Sequence, residues 1–264
     1  MALTGRGDTL AHGSSHNHLF QLYAEDSRLL EKNVGDFLWQ SLKQNGAALV
    51  VATPAHRASF CDEISRLGAD AAQAQRQGHL ILLDADDLLG RILVDGYPNA
   101  SAFAAHVGTV VREILARLGV TALHVYGEMV GILWQARQYA AAVALEQLWN
   151  ELRETLPFEL FCSYPIDIFD KEFECGIVGA LLRTHTHLLP TGLNERLESA
   201  LDRALEEVLD SRMAGIKPHL QMNGHAVRPC LPRGEATILW LRRHYPDRAS
   251  AILARARHYY EATP

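Results

Sequence analysis

No stretch of this chain approaches the roughly 20 consecutive apolar residues that a membrane-spanning helix needs. Its start also lacks the basic segment followed by an apolar run that marks an export signal, so a soluble, cytoplasmic protein is expected. Cysteine is scarce: Cys61, Cys162, Cys175 and Cys230 form no Cys-x-x-Cys pair and no metal-ligand rhythm. They read as reduced thiols of the core, and neither a metal nor a cofactor is expected. Blocks of like charge are missing too. Lys and Arg number 25 against 31 Asp and Glu, mixed along the chain, and the net charge of −6 is a poor footprint for nonspecific nucleic-acid binding.

What the chain does contain is enough apolar material for a sizeable core, 48% against 21% charged, which argues against disorder. A length of 264 residues is long for one domain and short for two large ones. One α/β core with a helical appendage fits best.

Met1–Asn17, rich in Gly, Ser, Thr and His, shows no periodicity and reads as a loose tail. His16 and His18 stand two apart but have no evident third ligand. From Glu25 to Gln44 apolar residues recur at helical spacing, and Ala47–Ala52 is then a continuous apolar run of the kind found in a strand covered on both faces. The same alternation repeats: a helix through Phe60, Ile64 and Leu67, a strand at Leu80–Leu83, a helix over Ala100–Leu118, a strand at Ala122–Tyr126, a helix over Arg137–Thr155 and a strand at Phe158–Tyr164. Strand and helix in alternation is the signature of right-handed crossovers and a mostly parallel sheet. Beyond Ile166 only helical periodicity is evident. The stripe from Leu197 to Leu209 can pack on the sheet or pair two subunits. His185-Thr186-His187 could ligate zinc from a strand, but as a lone pair in a loop or at a helix end it reads as solvent-exposed. The expected organisation is a tail over 1–17, an α/β domain over 18–168 and a helical region over 169–264.

Open α/β sheets bind ligands beyond the carboxyl ends of their strands, so the residues there are the candidates. After the first apolar strand comes Thr53-Pro54-Ala55-His56-Arg57, where a mononucleotide-binding fold would carry Gly-x-x-x-x-Gly-Lys-Ser/Thr. Both glycines and the Lys are missing. A hydroxyl, an imidazole and a guanidinium stand there instead, with a Thr helix cap and surface groups as the plainer reading. Asp84 ends the next strand; with Asp86 and Asp87 it suits either a hard cation or the first turn of a helix. Asp95 lies in the loop Asp95-Gly96-Tyr97-Pro98-Asn99. Glu128 follows Gly127 where a strand gives way to a helix, as a ligand-facing carboxylate or one favoured by the helix dipole.

Six ordered motifs give a more specific likeness: Ala52-Thr53-Pro54-Ala55-His56-Arg57, Leu83-Asp84-Ala85, Val94-Asp95-Gly96-Tyr97-Pro98, Val125 to Trp134, Leu145 to Asn150, and Cys162-Ser163-Tyr164-Pro165. Over roughly His18 to Pro165 the chain resembles the MEDS domain, the methanogen/methylotroph sensory domain typified by the dichloromethane-responsive repressor. The resemblance implies a RecA-like, KaiC-related core that has lost its phosphate loop and senses small organic molecules upstream of gene expression or phosphorelay signalling. Met1–Asn17 is too short to hold a helix-turn-helix and no kinase module follows, so the copy reads as a stand-alone sensor with its own helical C-terminal region.

Three functions are therefore in play. In the first, a non-catalytic sensor, Thr53, His56, Arg57, Asp84, Asp95, Tyr126, Glu128, Trp134 and Tyr164 frame a pocket for a small organic ligand, and binding biases the C-terminal helices. The second is a nucleotide-binding or hydrolysing enzyme with Glu128 as base and Asp84 as metal ligand, which the absent Lys and glycine-rich turn oppose. In the third, an interaction module, Arg242, Arg243, Arg248, Arg255 and Arg257, interleaved with Trp240, Tyr245, Tyr259 and Tyr260, dock a signalling or transcription partner. A homodimer is compatible with each of the three, and no membrane partner is expected.

Overall fold

A computed structural model describes residues 17–24, 26–119, 122–192, 194–208 and 231–262. The tail expected over Met1–Asn17 lies, apart from Asn17, outside the described residues, as do Cys230 and Leu209.

Six strands form one sheet, every pair parallel: β1 (His18–Tyr23), β2 (Ala47–Ala52), β3 (Leu80–Asp84), β6 (Leu123–Gly127), β7 (Glu159–Pro165) and β8 (His187–Leu189). A separate two-residue hairpin contributes β4 (Leu93–Val94) and β5 (Tyr97–Pro98). The order across the main sheet is β3-β2-β6-β7-β1-β8. Parallel neighbours need crossovers, and the intervening helices supply them.

Strand residues alternate between two faces, and the sheet is covered on both. Ala48, Val50, Ala52, Tyr126 and Phe161 pack on one side with Leu30, Val34, Phe37 and Leu38 of α1 (Arg28–Leu42) and Phe60 and Ile64 of α2 (Pro54–Arg66). Between α2 and β3 lies α3 (Ala71–Gln77). Leu49, Val51, Val125, Leu160, Cys162 and Tyr164 point the other way. There they meet α4 (Ala85–Ile92), α5 (Ala100–Phe103), a π-turn over Ala104–Gly108, α6 (Thr109–Leu118), α7 (Met129–Gln135) and α8 (Tyr139–Thr155). At Gly131 of α7 an added Cβ would stand 2.6 Å from the Ser163 carbonyl oxygen, so glycine lets this helix lie directly on β7.

Besides the short hairpin, whose β5 falls within the expected loop over 95–99, two strands of the main sheet stand where apolar periodicity marks none. β1 reads His-Leu-Phe-Gln-Leu-Tyr, and its buried His18 and Gln21 break the apolar run. Both polar groups find partners: Gln21 Oε1 accepts Asn33 Nδ2 at 3.0 Å, and His18 Nδ1 meets Asn150 Oδ1 at 2.9 Å. β8 follows α9 (Cys175–Thr184) and carries the sheet beyond residue 168, pairing Leu19 with His187 and Gln21 with Leu189. Thr186 fixes that register: its N–H and its hydroxyl both donate to the His18 carbonyl, at 2.7 and 2.9 Å.

β8 interrupts the helical region expected over 169–264; beyond it the described elements are helices, α10 (Asn194–Val208), α11 (Arg233–His244) and α12 (Pro246–Ala262). Leu197, Leu201 and Leu205 of the apolar stripe are buried within the chain, in one continuous cluster with Ile238, Leu241, Ile252 and Leu253 and with the inner face of the sheet. Arginines anchor the same helices to the loop after β7. Arg242 donates to the carbonyls of Phe169 (2.9 Å) and Asp170 (2.6 Å), and Arg257 pairs with Asp167 and, at 3.2 Å, with Asp170. Among the described residues no helix is long and apolar enough to cross a membrane.

Candidate functional site

Because the strands run parallel, β2, β3 and β6 deliver their last residues to one edge of the sheet. Ala52 pairs with Asp84 and Val51 with Gly127, which places Thr53, Asp84 and Glu128 side by side. Thr53 occupies the N-cap position of α2, yet its side chain caps nothing. It turns to Glu128 instead: Oε2 of the buried carboxylate accepts the Thr53 N–H at 2.7 Å and its hydroxyl at 3.2 Å, while Oε1 meets His56 Nδ1 at 2.7 Å. This hydrogen bond to Glu128 raises the His56 pKa against the opposing pull of burial. Tyr23, at the end of β1, sets its ring edge against His56, and burial followed by the charge of Glu128 pushes its phenol upward.

Beside this group Arg57 pairs with Asp84 at 2.8 Å. Asp84 is fully employed: Oδ2 takes Arg57, and Oδ1 caps α4 by accepting the N–H groups of Asp86 and Asp87 at 3.1 Å each. Arg57 is not fully employed, because its Nε is buried without a hydrogen-bond partner in the structure. Five of the nine residues expected at the rim, Thr53, His56, Arg57, Asp84 and Glu128, thus share one edge.

The other four lie elsewhere. Tyr126 is fully buried on the α1–α2 face, packed against Phe60 and Phe161, with its hydroxyl 2.6 Å from Ser163 Oγ. Tyr164 and Trp134 stack edge to face on the opposite side of the sheet, with Tyr139 tilted against the indole. Asp95 is exposed at φ +51° in the turn between β4 and β5. The side-chain alternation of a strand separates Tyr126 from Tyr164, although the two sit on neighbouring strands. A broad open cleft of about 530 Å³, lined by Lys171, Glu174, Arg242 and Arg243 among others, includes none of the nine.

A second polar group, absent from the sequence reading, lies inside the protein. His18 of β1, Glu146 of α8, Cys162 of β7 and His185, at the junction of α9 and β8, are all buried and converge. His18 Nε2 is 3.3 Å from Glu146 Oε2, His185 Nε2 is 3.1 Å from Oε1, and Cys162 Sγ is 3.5 Å from His18 Nε2. The Tyr164 hydroxyl donates to Glu146 Oε1. Contrary to the expectation of a solvent-exposed His-Thr-His, His185 is 5% exposed, because it closes α9 and turns inward beneath β1.

The outer nitrogens of both imidazoles are spoken for. His18 Nδ1 faces two acceptors, Asn150 Oδ1 and the Thr184 carbonyl, each at 2.9 Å, and the Asn150 amide is oriented by its own bond to that carbonyl. His185 Nδ1 meets the Leu181 carbonyl at 2.8 Å. With each Nδ1 turned to a carbonyl or amide oxygen, each Nε2 faces the cluster. Burial, followed by repulsion from His185, lowers the His18 pKa to about 4, so this ring is neutral at pH 7. For Glu146, burial opposes ionisation, but the His185 and His18 imidazoles outweigh it and hold the carboxyl well below the usual range. Burial and the same carboxylate push the Cys162 thiol and the Tyr164 phenol well up.

Compared with protein families, residues 17–186 match the model described as MEDS: MEthanogen/methylotroph, DcmR Sensory domain. No curated protein matches the chain.

Proposed function

Since the chain belongs to the family of MEDS sensory domains, we propose that it is a non-catalytic small-molecule sensor that takes its ligand at the carboxyl edge of the sheet, over His56, Arg57 and Asp84. The observation that carries this reading is the position of Glu128. In a phosphate-binding α/β fold, the N–H groups at the head of the helix after the strand hold an anion. Here the Thr53 N–H and hydroxyl, at the head of α2, already hold the protein's own carboxylate. A triphosphate arriving at that point meets a negative charge and no Lys. This supports a RecA/KaiC-like core whose phosphate site has been closed from within, and it opposes Glu128 as a general base, since its lone pairs are engaged by three donors.

The crevice beside it stays usable. Side chains of His56, Arg57 and Asp84 are 14, 25 and 31% exposed, and Arg57 Nε is unsatisfied. A small organic molecule with an acceptor group fits such a setting, with Tyr23 supplying apolar contact.

The route outward runs through the loop over residues 166–170, which leaves the same edge of the sheet after β7 and is gripped by Arg242 of α11 and Arg257 of α12. Ligand binding that favours one arrangement of this loop biases the helices by its differential affinity for the two arrangements. A signalling or transcription partner would read the helices.

Native mass spectrometry of the protein from its own host, followed by thermal-shift measurements with the co-purified compound, tests the proposal. A bound small molecule whose stabilisation is lost in Arg57→Ala and His56→Ala is the expected result. Stabilisation that both variants keep overturns this site, and magnesium-dependent ATP or GTP turnover above a Glu128→Gln control overturns the non-catalytic reading.

A further inference from the structure

The buried group around Glu146 lies apart from the crevice at the strand ends and calls for its own account. It brings together two imidazoles, a carboxylate and a thiol, the donor set of a transition-metal site. We propose that His18 Nε2, Glu146, Cys162 Sγ and His185 Nε2 bind one zinc-class divalent metal ion in a closed, tetrahedral site.

Three observations support it. The first is spacing. Four ligands at about 2.0–2.3 Å from a tetrahedral ion stand roughly 3.3–3.6 Å from one another. The distances found are 3.3 Å for His18 to Glu146, 3.5 Å for His18 to Cys162 and 3.8 Å for Cys162 to Glu146, and all four ligand atoms lie within 4.8 Å of one another.

The second is orientation. Metal-bound histidines commonly donate their other ring N–H to a carbonyl or carboxylate, which fixes the tautomer and aims the free lone pair. Both histidines are held in this way, His18 by Asn150 Oδ1 and the Thr184 carbonyl and His185 by the Leu181 carbonyl. The result is a fully buried nitrogen, His185 Nε2, that points at a carboxylate oxygen 3.1 Å away without making a hydrogen bond. A divalent cation between them would give this unpartnered nitrogen and the buried carboxylate a common partner.

The third is charge. A divalent ion with two neutral imidazoles, one carboxylate and one thiolate has no net charge, the cheapest state for a dry interior. On binding, the Cys162 S–H bond breaks as the metal–sulfur bond forms and the proton leaves to solvent; nothing is oxidised or reduced. The Tyr164 hydroxyl continues to donate to Glu146.

With all four positions taken by the protein the ion has a structural role. Its ligands come from β1, α8, β7 and the α9–β8 junction, so it ties the edge strand β8 and the start of the helical region to the middle of the sheet. The ligands lie 128, 16 and 23 residues apart in sequence, which explains why no short Cys/His motif announces them.

The test is a titration of the full-length, untagged and chelator-treated chain with cobalt(II), then zinc(II). One equivalent of cobalt should bring up tetrahedral ligand-field bands and thiolate-to-cobalt charge transfer with release of a proton, and zinc should bleach them. Cys61→Ser should keep the charge-transfer band and Cys162→Ser should lose it. Folded wild-type protein that gives no thiolate–cobalt band overturns the proposal whether or not Cys162→Ser folds, and so does a band that survives Cys162→Ser.

Discussion

Glu128→Gln is the sharpest probe of the strand-end group, because it keeps the side chain's length and removes its charge. In the wild type the carboxylate accepts the Thr53 N–H at 2.7 Å, the Thr53 hydroxyl at 3.2 Å and His56 Nδ1 at 2.7 Å. Hydrogen bonds to a charged partner contribute about 1.5–3 kcal/mol and neutral ones about 0.5–1.5 kcal/mol. Two short bonds losing their charge assistance, at a site still reached by solvent, put the cost at about 1–3 kcal/mol. The cost depends on pH. The bond to Glu128 raises the His56 pKa above its ordinary 6.5, so the folded chain keeps that proton to higher pH than the unfolded chain does. The stabilisation is therefore complete below pH 6.5 and is lost as pH rises through the raised value. Urea unfolding of wild type and Glu128→Gln across that range should show a stability difference that is largest on the acid side and shrinks toward alkaline pH. A difference that stays flat with pH refutes the pairing of His56 with Glu128.

Three further substitutions test the surroundings. Gly131→Ala should destabilise by about 1–3 kcal/mol in thermal or urea unfolding, because the new Cβ meets backbone at 2.6 Å, and unchanged stability would contradict the close approach of α7 to β7. Tyr126→Phe strands the buried Ser163 hydroxyl and should cost about 1–3 kcal/mol, most of it recovered by adding Ser163→Ala. If the double variant is no better than the single one, the hydroxyl pair is not the cause. Asp84→Ala should cost about 1–2 kcal/mol, because it removes the cap of α4 and the Arg57 pair together, whereas Arg57→Met should cost less than about 1 kcal/mol, since it breaks only a partly exposed pair; equal urea midpoints would show that the cap contributes nothing.

The fold was legible wherever burial is written in hydropathy. Ala47–Ala52 is an unbroken apolar run buried throughout, and Leu80–Asp84, Leu123–Gly127 and Glu159–Pro165 are apolar apart from Asp84, His124, Glu159 and Ser163, which is enough to disclose them. β1 escaped because His18 and Gln21 sit inside it with their polar groups satisfied by Asn150 and Asn33, partners that hydropathy does not reveal. β8 escaped because three residues are too few for any period. The leucine stripe of α10 was visible as a stripe, but what it packs against depends on tertiary structure, and here that partner is α12 and the sheet. Likewise the basic face of the last helices was visible as charge, while its neighbours were not: Arg255 pairs with Glu207 at 3.2 Å, and Arg257 is shared among Asp167, Asp170 and Glu261.

Candidate residues divide along the same line. Thr53, Asp84 and Glu128 could be placed together because parallel strands end at one edge, a rule that works from sequence order alone. Tyr126 and Tyr164 were drawn into that group by being near strand ends, but pleating sends them to opposite faces, so a side chain one residue short of the end belongs here to the core rather than the crevice. Beyond the separate histidine pairs that contain His18 and His185, the cluster of His18, Glu146, Cys162 and His185 left a further trace in the sequence: Glu146 sits on the buried stripe of α8, between Ala142 and Trp149, where an apolar residue would be expected. A carboxylate in such a place must be met by donors or by a cation, or the helix could not bury that face. The sequence therefore announces that something compensates Glu146, while the identity of the compensating groups depends on a sheet order that brings β1 beside β7.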